Sequence, residues 1–253
     1  MSRVYSQRHP ERTVMLDRPH GQVVFTIPKM LRVFFKYKRS LLSSLCLCRK
    51  EALVKYFKAA TCKEIAPGII AVIQSFGSRM NFHPHLHFLV TEGGADKEGR
   101  FHKVTSFNDS LLCRFFTREV FLLLLRKQLI NRDLVQRILH WQHTGFNVHS
   151  KVRIETREEA EQIGKYMIRP ILSLRRLSLD EAQGQAIYQY GKHSAETEHM
   201  DYLEFIARVT SHIPDKGQVM VRYYGLYANA HRGKKRKQEL ILPAPLLLKM
   251  KPH

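Results

Sequence analysis

Histidines alternate along one short stretch of the chain, His83-Pro-His85-Leu-His87. In a strand, residues two positions apart project from the same face, so the imidazoles of His85 and His87 point together while Leu86 faces the opposite, apolar side. A strand also holds both ring nitrogens at a fixed separation, which lowers the cost of ordering them around an ion. This spacing predicts a divalent-metal site, although such pairs also occur by chance on exposed strands.

A metal site of this kind needs a third ligand, and two residues compete for that role. Gln74 reaches the same face if the predicted strands 68–76 and 85–90 pair, and His83 is the alternative. Two imidazoles and one amide oxygen leave open positions for water and phosphate oxygens, which suits Mg²⁺ or Mn²⁺ in a nuclease better than a closed structural zinc. Taken by itself, Gln74 is more typical of a polar residue at the edge of a core.

Tyr166 is the candidate nucleophile, within Ile163-Gly-Lys-Tyr-Met-Ile-Arg-Pro170. A helical tyrosine with apolar neighbours usually belongs to a core. Two features favour a catalytic role here. Lys165 and Arg169 supply cations for a phosphate and its developing charge, and Gly164 allows close approach of another backbone.

Aromatic and basic residues also alternate further along the chain, in Val221-Arg-Tyr-Tyr-Gly-Leu-Tyr227. Aromatic faces bind unpaired bases without reading their sequence, and arginine binds the phosphates between them. The pattern therefore predicts a base-stacking strand that contacts DNA through Arg222, Tyr223 and Tyr224.

A basic run follows, His231-Arg-Gly-Lys-Lys-Arg-Lys237. Such runs are either solvated tails or contacts to a nucleic-acid backbone. In the second interpretation Arg232, Lys234 and Lys235 bind DNA phosphates.

The charge of the whole chain indicates a polyanionic partner. Its 253 residues contain 42 Lys and Arg against 22 Asp and Glu, a net charge of +20. Such an excess of cations replaces the counterions condensed on nucleic acid. The N-terminus lacks the apolar core of a signal peptide, and no uncharged apolar run approaches the roughly 18 residues of a membrane span. We therefore expect a cytoplasmic protein that binds nucleic acid and no membrane.

The elements that must position these residues alternate between strands and helices. Apolar runs and alternation predict strands at 22–27, 68–76, 85–90, 148–154, 186–190 and 218–223. Helical periodicity predicts helices at 30–58, 108–129, 156–170 and 202–209, with a short helix ending near 139. A capping box begins at Thr156 and Pro170 ends that helix, which places Tyr166 near its end. This order predicts an α+β sandwich of helices against a mainly antiparallel sheet.

Together these motifs resemble rolling-circle insertion-sequence transposases of the HUH class. The resemblance rests on Phe25-Thr-Ile-Pro28, Gln74-Ser-Phe-Gly77, His83-Pro-His-Leu-His87 and Lys165-Tyr-Met-Ile-Arg169, in that order and at similar spacing. It implies an HUH-nuclease-like sandwich over residues 21–230. Residues 1–20 are then a polar N-terminal segment, and residues 231–253 are a basic C-terminal tail.

The resemblance also implies roles for individual residues. His85 and His87 hold the divalent metal, and Gln74 falls where the family places a further polar or histidine side chain. Tyr166 falls on the nucleophilic tyrosine. Some relatives carry a second tyrosine four residues earlier, where this chain has Gln162, so it resembles a single-tyrosine variant.

The implied reaction is nicking and rejoining of single-stranded DNA at transposon ends and at the target. Attack by the tyrosine leaves a 5′-phosphotyrosine and a free 3′-hydroxyl, and a later attack by a 3′-hydroxyl rejoins strands without ATP. With one tyrosine, strand transfer either reuses Tyr166 or recruits a second protomer, so a homodimer is one expected arrangement.

The chain departs from that family in its cysteines. Relatives usually carry cysteine-rich, zinc-binding segments on both sides of the nuclease core, whereas the four cysteines here form no C-x2-C pair. We therefore expect a shortened copy. Two alternatives stay open: a catalytically inactive single-stranded-DNA-binding remnant, and a replication-initiator or relaxase-type nuclease. A relaxase is disfavoured because its tyrosine usually precedes the histidines.

Overall fold

A computed structural model describes residues 18–191 and 195–229. The segment 1–17 and the tail from residue 230 onward lie outside the described residues. The basic residues predicted to contact the DNA backbone, Arg232, Lys234 and Lys235, therefore lie outside them too.

The strands form two antiparallel sheets. In chain order they are β1 (His20–Thr26), β2 (Ala66–Phe76), β3 (Phe82–Ala95), β4 (Phe101–Lys103), β5 (Asn147–Ile154), β6 (Leu177–Asp180), β7 (Gln185–Tyr190), β8 (Glu196–Asp201) and β9 (Val221–Gly225). The central sheet has the order β5-β1-β3-β2-β9, with β4 paired to β3, and the small sheet has the order β6-β7-β8. Every strand pair is antiparallel.

Helices cover both faces of the central sheet. They are α1 (Arg32–Tyr37), α2 (Ser40–Thr61), α3 (Asp109–Arg126), α4 (Arg132–Leu139), α5 (Arg157–Met167) and α6 (Tyr202–Thr210). Helices α2 and α3 pack over the main core, and α5 packs on the other face. The predicted α+β sandwich with a mainly antiparallel sheet is confirmed. In the part of the chain that the structure describes, no helix has the length and apolarity to span a membrane.

The side chains of β3 separate the core from the candidate chemistry. Leu86, Phe88 and Val90 belong to the main core beneath α2 and α3. Because side chains alternate along a strand, His85 and His87 project from the opposite face, where Leu89 packs in the smaller apolar cluster that includes α5. The main core on the opposite face of β3 thus holds in place the strand that carries the histidines.

The helix predicted over 30–58 is interrupted. Helix α1 ends at Tyr37, and Lys38 leaves the helical conformation with φ −125° and ψ 80° before α2 begins at Ser40. The guanidinium of Arg39 donates hydrogen bonds to the carbonyls of Ser211 and Ile213, just beyond α6. These contacts with a distant part of the chain hold the break, which helical periodicity does not reveal.

The small sheet adds a lobe that was not predicted as a sheet. Only its middle strand, β7, was predicted from the sequence, and β4 was missed as well. Strand β8 has one buried residue, Met200, which packs with Met80, Ala186 and Tyr188. A polar edge strand carries little apolar alternation, so nothing in its sequence marked it.

Candidate active site

The pairing of β2 with β3 assembles the predicted metal ligands on one face. His85 and His87 have ring centroids 4.9 Å apart, and Gln74 lies directly opposite His85 across the strand pair. The two strands pair as predicted. The register therefore brings the amide of Gln74 to the histidine face without any loop rearrangement.

The tautomer of His85 is fixed by a backbone contact. Its Nδ1 lies 2.8 Å from the carbonyl oxygen of His83. A carbonyl can only accept, so Nδ1 carries the proton and Nε2 keeps its lone pair. This is the arrangement in which an imidazole ligates a metal while its other nitrogen donates to a carbonyl.

His87 is held by a residue that sequence reasoning missed. The Nδ1 of His87 lies 3.2 Å from the side-chain amide of Gln22, in β1, and its Nε2 is buried without a hydrogen-bond partner. As placed, the nitrogen of the Gln22 amide faces the ring and its N–H donates to Nδ1. For Nε2 to ligate a cation, the amide must turn over, so that its oxygen accepts from Nδ1–H and Nε2 presents a lone pair. The only signal for Gln22 in the sequence is a polar residue within an apolar strand.

Gln74 also presents an unsatisfied oxygen. Its Nε2 donates to the carbonyl of Met167 at 2.7 Å, which orients the amide and leaves Oε1 buried without a partner. Buried polar atoms are normally hydrogen-bonded, so two unsatisfied polar atoms on one face call for an explanation. A divalent cation bound between Oε1 of Gln74 and Nε2 of His87 would satisfy both atoms.

His83 competes poorly with Gln74 as the third ligand. Its ring lies 5.4 Å from that of His85, and its Nε2 is likewise buried without a partner. Among the described residues, however, no three His, Cys, Asp or Glu side chains are grouped closely enough to hold a metal ion. The three histidines by themselves therefore do not form a metal site, and the amide oxygen of Gln74 is favoured as the third ligand.

Burial keeps the histidines neutral. Desolvation is the largest cause that lowers the pKa of His87 to about 3 and that of His83 to about 4. Burial also lowers the pKa of His85, and nearby Arg169 acts in the same direction. A neutral imidazole is the form that binds a metal ion, so these rings need lose no proton near neutral pH to do so.

Tyr166 lies beside this cluster. Its ring centroid is 5.8 Å from that of His87 at an interplanar angle of 86°, and the side chain is 48% exposed. It is therefore not a core residue. The guanidinium carbon of Arg169 lies 5.0 Å from the centroid of the same ring, while Lys165 is exposed on the preceding position. A phosphate bound here would contact both the phenol of Tyr166 and the guanidinium of Arg169.

Helix α5 fixes the position of Tyr166 from both ends. Thr156 and Glu159 form the predicted capping box at the start of the helix. At the other end, Met167 is buried among Val72, Leu89 and Ile154 of the sheet. Tyr166 precedes this anchor by one residue, which turns its ring to the open edge of the cluster.

The predicted base-stacking strand presents its residues on two faces. Arg222 and Tyr224 face α2, where the Arg222 guanidinium donates to Ser43 Oγ at 2.7 Å and the Tyr224 hydroxyl lies 3.4 Å from Cys46 Sγ. Tyr223 projects from the opposite face because side chains alternate along β9. The contact of these three residues with DNA stays a prediction.

One of the cavities lies away from this cluster. Its volume is about 650 Å³, and it is enclosed by α3, α4 and β5. None of the predicted ligands, nor Tyr166, lines it.

Comparison with known proteins gives the family. Residues 68–236 match the family Y2_Tnp, described as "Putative transposase". The "Transposase for insertion sequence element IS801" of Pseudomonas savastanoi pv. phaseolicola is 27% identical over 84% of this chain, which covers 55% of that relative. "Putative transposase y4qJ" of Sinorhizobium fredii is 27% identical over 92% of this chain, which covers 66% of it.

The chain thus spans between about half and two thirds of the length of these curated relatives. No solved structure matches it significantly. The resemblance to insertion-sequence transposases, drawn above from the histidine and tyrosine motifs, is confirmed by the family match, which covers more than half of the sequence. The chain belongs to the Y2_Tnp family of transposases.

Proposed function

We propose that this protein nicks and rejoins single-stranded DNA through a 5′-phosphotyrosine on Tyr166, as a rolling-circle transposase of the HUH class. The observation that carries the proposal is the contact between Tyr166 and His87, on the face where Gln74 and His87 each leave a buried polar atom unsatisfied. A nucleophile beside a metal-binding cluster and a free guanidinium is the set of groups that phosphoryl transfer uses.

Each side chain has a distinct task. His85, His87 and Gln74 would hold Mg²⁺ or Mn²⁺, which when bound supplies Lewis-acid polarisation of a phosphate oxygen. Arg169 stabilises the negative charge that develops on the phosphate. Lys165, exposed beside the nucleophile, adds to the attraction of the DNA backbone.

The bond changes balance within the DNA and the phenol. The oxygen of Tyr166 forms a bond to phosphorus and loses its proton, while the bond from phosphorus to the 3′-oxygen breaks and that oxygen takes up a proton. The product keeps one phosphodiester-like bond, so a 3′-hydroxyl can reverse the step without ATP. With a single tyrosine, complete strand transfer reuses Tyr166 or needs a second protomer.

A covalent-adduct assay tests the proposal. The protein is incubated with varied hairpin-bearing single strands and Mn²⁺ or Mg²⁺, and a protein–DNA adduct that survives denaturing electrophoresis is expected. Tyr166→Phe should abolish the adduct. Tyr37→Phe, at a tyrosine that is 81% exposed, should form as much adduct as wild type.

Two outcomes overturn the proposal. An adduct that persists in Tyr166→Phe assigns the nucleophile elsewhere. A wild-type protein that binds these strands but forms no adduct with either cation is the inactive DNA-binding remnant.

A further inference from the structure

A second cavity opens directly beside the candidate nucleophile. Its volume is about 470 Å³, within the range of roughly 300–1,000 Å³ that small-molecule sites occupy. It lies between the turn that joins β2 to β3, the segment that joins α5 to β6, and the small sheet. We call it the linker pocket; the residues used below are Arg169, Arg176, Phe76, Ser78, Ser173 and Tyr188.

The charge of the linker pocket suits an anion. Arg169 and Arg176 are exposed, no acidic side chain lines the pocket, and neither arginine has a carboxylate partner among the described residues. A neighbouring cavity of about 460 Å³ differs in this respect. There Arg79 and Arg208 each contact Glu198, at 2.8 Å and 2.9 Å, and Arg208 also pairs with Glu204, so two carboxylates already balance the two guanidinium charges.

The rest of the lining suits a nucleoside. Phe76 is half-buried and presents an aromatic wall, and Tyr188, although almost fully buried, closes the same cavity. Ser78 and Ser173 add hydroxyl groups that can donate or accept hydrogen bonds. Aromatic faces bind unpaired bases, and guanidinium groups bind phosphates.

The position of Arg169 connects the pocket to the nucleophile. The same side chain lies over the ring of Tyr166 and lines the linker pocket. A single strand whose phosphate reaches Tyr166 therefore has its adjoining nucleotide at the mouth of the pocket.

We infer that the linker pocket binds one nucleotide of single-stranded DNA next to the scissile phosphate, with Arg176 on a phosphate and Phe76 against the base. The inference rests on the proposed function. It makes the small sheet, through Tyr188, part of the DNA-binding surface rather than a structural appendage.

Binding without cleavage tests the pocket separately from the chemistry. A fluorescent oligodeoxythymidine strand is titrated with the Tyr166→Phe protein in EDTA, and anisotropy is followed at several salt concentrations. Arg176→Ala should weaken binding about tenfold, the effect of one charge-assisted hydrogen bond. It should also reduce the slope of log affinity against log salt by about 0.7, the value for one lost contact to a single strand.

Arg175→Ala is the matched control, because Arg175 is exposed on the adjacent position and does not line the pocket. It should leave affinity and slope close to those of the parent. Phe76→Leu should weaken binding several-fold with no change of slope, since it removes stacking and no charge. Thermal melting of each variant checks that it folds.

Equal affinity losses and slopes for Arg176→Ala and Arg175→Ala would overturn the pocket and indicate diffuse surface charge. A parent protein that fails to bind the strand would overturn it too. Neither result bears on the adduct assay, in which wild-type protein, cation and Tyr166 alone decide the proposed function.

Discussion

At the scale of single residues, the state of His87 depends on Gln22. The ring can ligate a cation only when its Nε2 is unprotonated, and the Gln22 amide at 3.2 Å from Nδ1 decides which nitrogen carries the proton. Gln22 would therefore act as a positioning residue behind the metal site. Outer partners of this kind typically contribute 10–100-fold, as an order of magnitude, to metal affinity.

We predict that Gln22→Ala weakens Mn²⁺ binding by roughly tenfold or more, because His87 loses the hydrogen-bond partner at Nδ1 that fixes the orientation of its ring. Titration calorimetry or the electron paramagnetic resonance signal of free Mn²⁺ measures this directly, without any reaction. Gln142→Ala, at an exposed glutamine outside the cluster, is the control. Unchanged Mn²⁺ affinity in Gln22→Ala would remove Gln22 from the site.

A complementary prediction concerns the ligands. His87→Ala should abolish measurable Mn²⁺ binding, whereas His83→Ala should reduce it little, because the geometry favours Gln74 over His83 as the third ligand. The same titrations report both variants. If His83→Ala loses the cation and Gln74→Ala keeps it, the assignment of the amide oxygen is wrong.

The sequence motifs pointed to candidate residues whose own type and local spacing carry the signal. They missed residues whose relation to the candidate site depends on strand pairing. His85, His87 and Tyr166 were found because their types and local spacing are informative. Gln22 was missed, since its relation to His87 exists only once β1 pairs with β3. The local pattern of Arg222, Tyr223 and Tyr224 likewise did not show that alternation along β9 turns Arg222 and Tyr224 toward α2.

At the scale of elements, α5 carries the proposed nucleophile and its first turn is stabilised by side chains. The Thr156 hydroxyl accepts from the Glu159 amide at 3.2 Å, and the Glu159 carboxylate accepts from the amides of Glu155 and Thr156. These amides otherwise lack partners at a helix start. The backbone hydrogen bonds place the Glu159 pKa below its ordinary value.

We predict that Thr156→Ala destabilises the protein by about 1 kcal/mol and accelerates amide hydrogen exchange in α5. Adduct formation should slow, because a frayed helix holds Tyr166 less firmly beside His87. Asn131→Ala removes an equivalent cap, on Leu134, from α4, which carries no site residue. That variant should lose similar stability and keep the adduct rate. Equal rate losses in both variants would show that α5 needs no cap to present Tyr166.

Elements with strong periodicity could be predicted, and those fixed by distant contacts could not. The buried strands β2 and β3 and the capped helix α5 follow from apolar runs and capping chemistry. The break between α1 and α2 depends on Arg39 reaching the chain after α6. Strand β8 depends on pairing with β7 rather than on its own polar sequence.

At the scale of the whole molecule, the central sheet divides two environments. One face is buried under α2 and α3, and the other carries the histidines, Gln74 and α5. The buried face gives the strands a rigid backing, so ligands two residues apart keep their separation when a flexible polymer binds. The small sheet packs against the turn between β2 and β3, where Met80 is buried with Ala186, Tyr188 and Met200.

The ends of the described fold meet at His20 and Tyr227. His20 opens β1, Tyr227 follows β9, and the imidazole is hydrogen-bonded to the phenol hydroxyl while the two rings stack with centroids 5.9 Å apart. Both side chains are buried. Burial is the largest cause that lowers the pKa of His20 from 6.5 to about 4.

This pKa shift predicts a stability that declines in weak acid. Between about pH 6.5 and pH 4 the unfolded chain binds a proton at His20 that the folded chain does not, so unfolding becomes more favourable as the pH falls. His20 makes its full contribution to stability above pH 6.5. Within the window it changes the free energy of unfolding by at most about 1.4 kcal/mol per pH unit. Urea unfolding at a series of pH values measures this slope.

His20→Gln should lower the stability at neutral pH and flatten the slope, whereas His143→Gln, at an exposed histidine, should leave the slope unchanged. A His20→Gln protein whose stability falls as steeply as that of wild type would show that the contact between the two ends is not the source of the acid sensitivity.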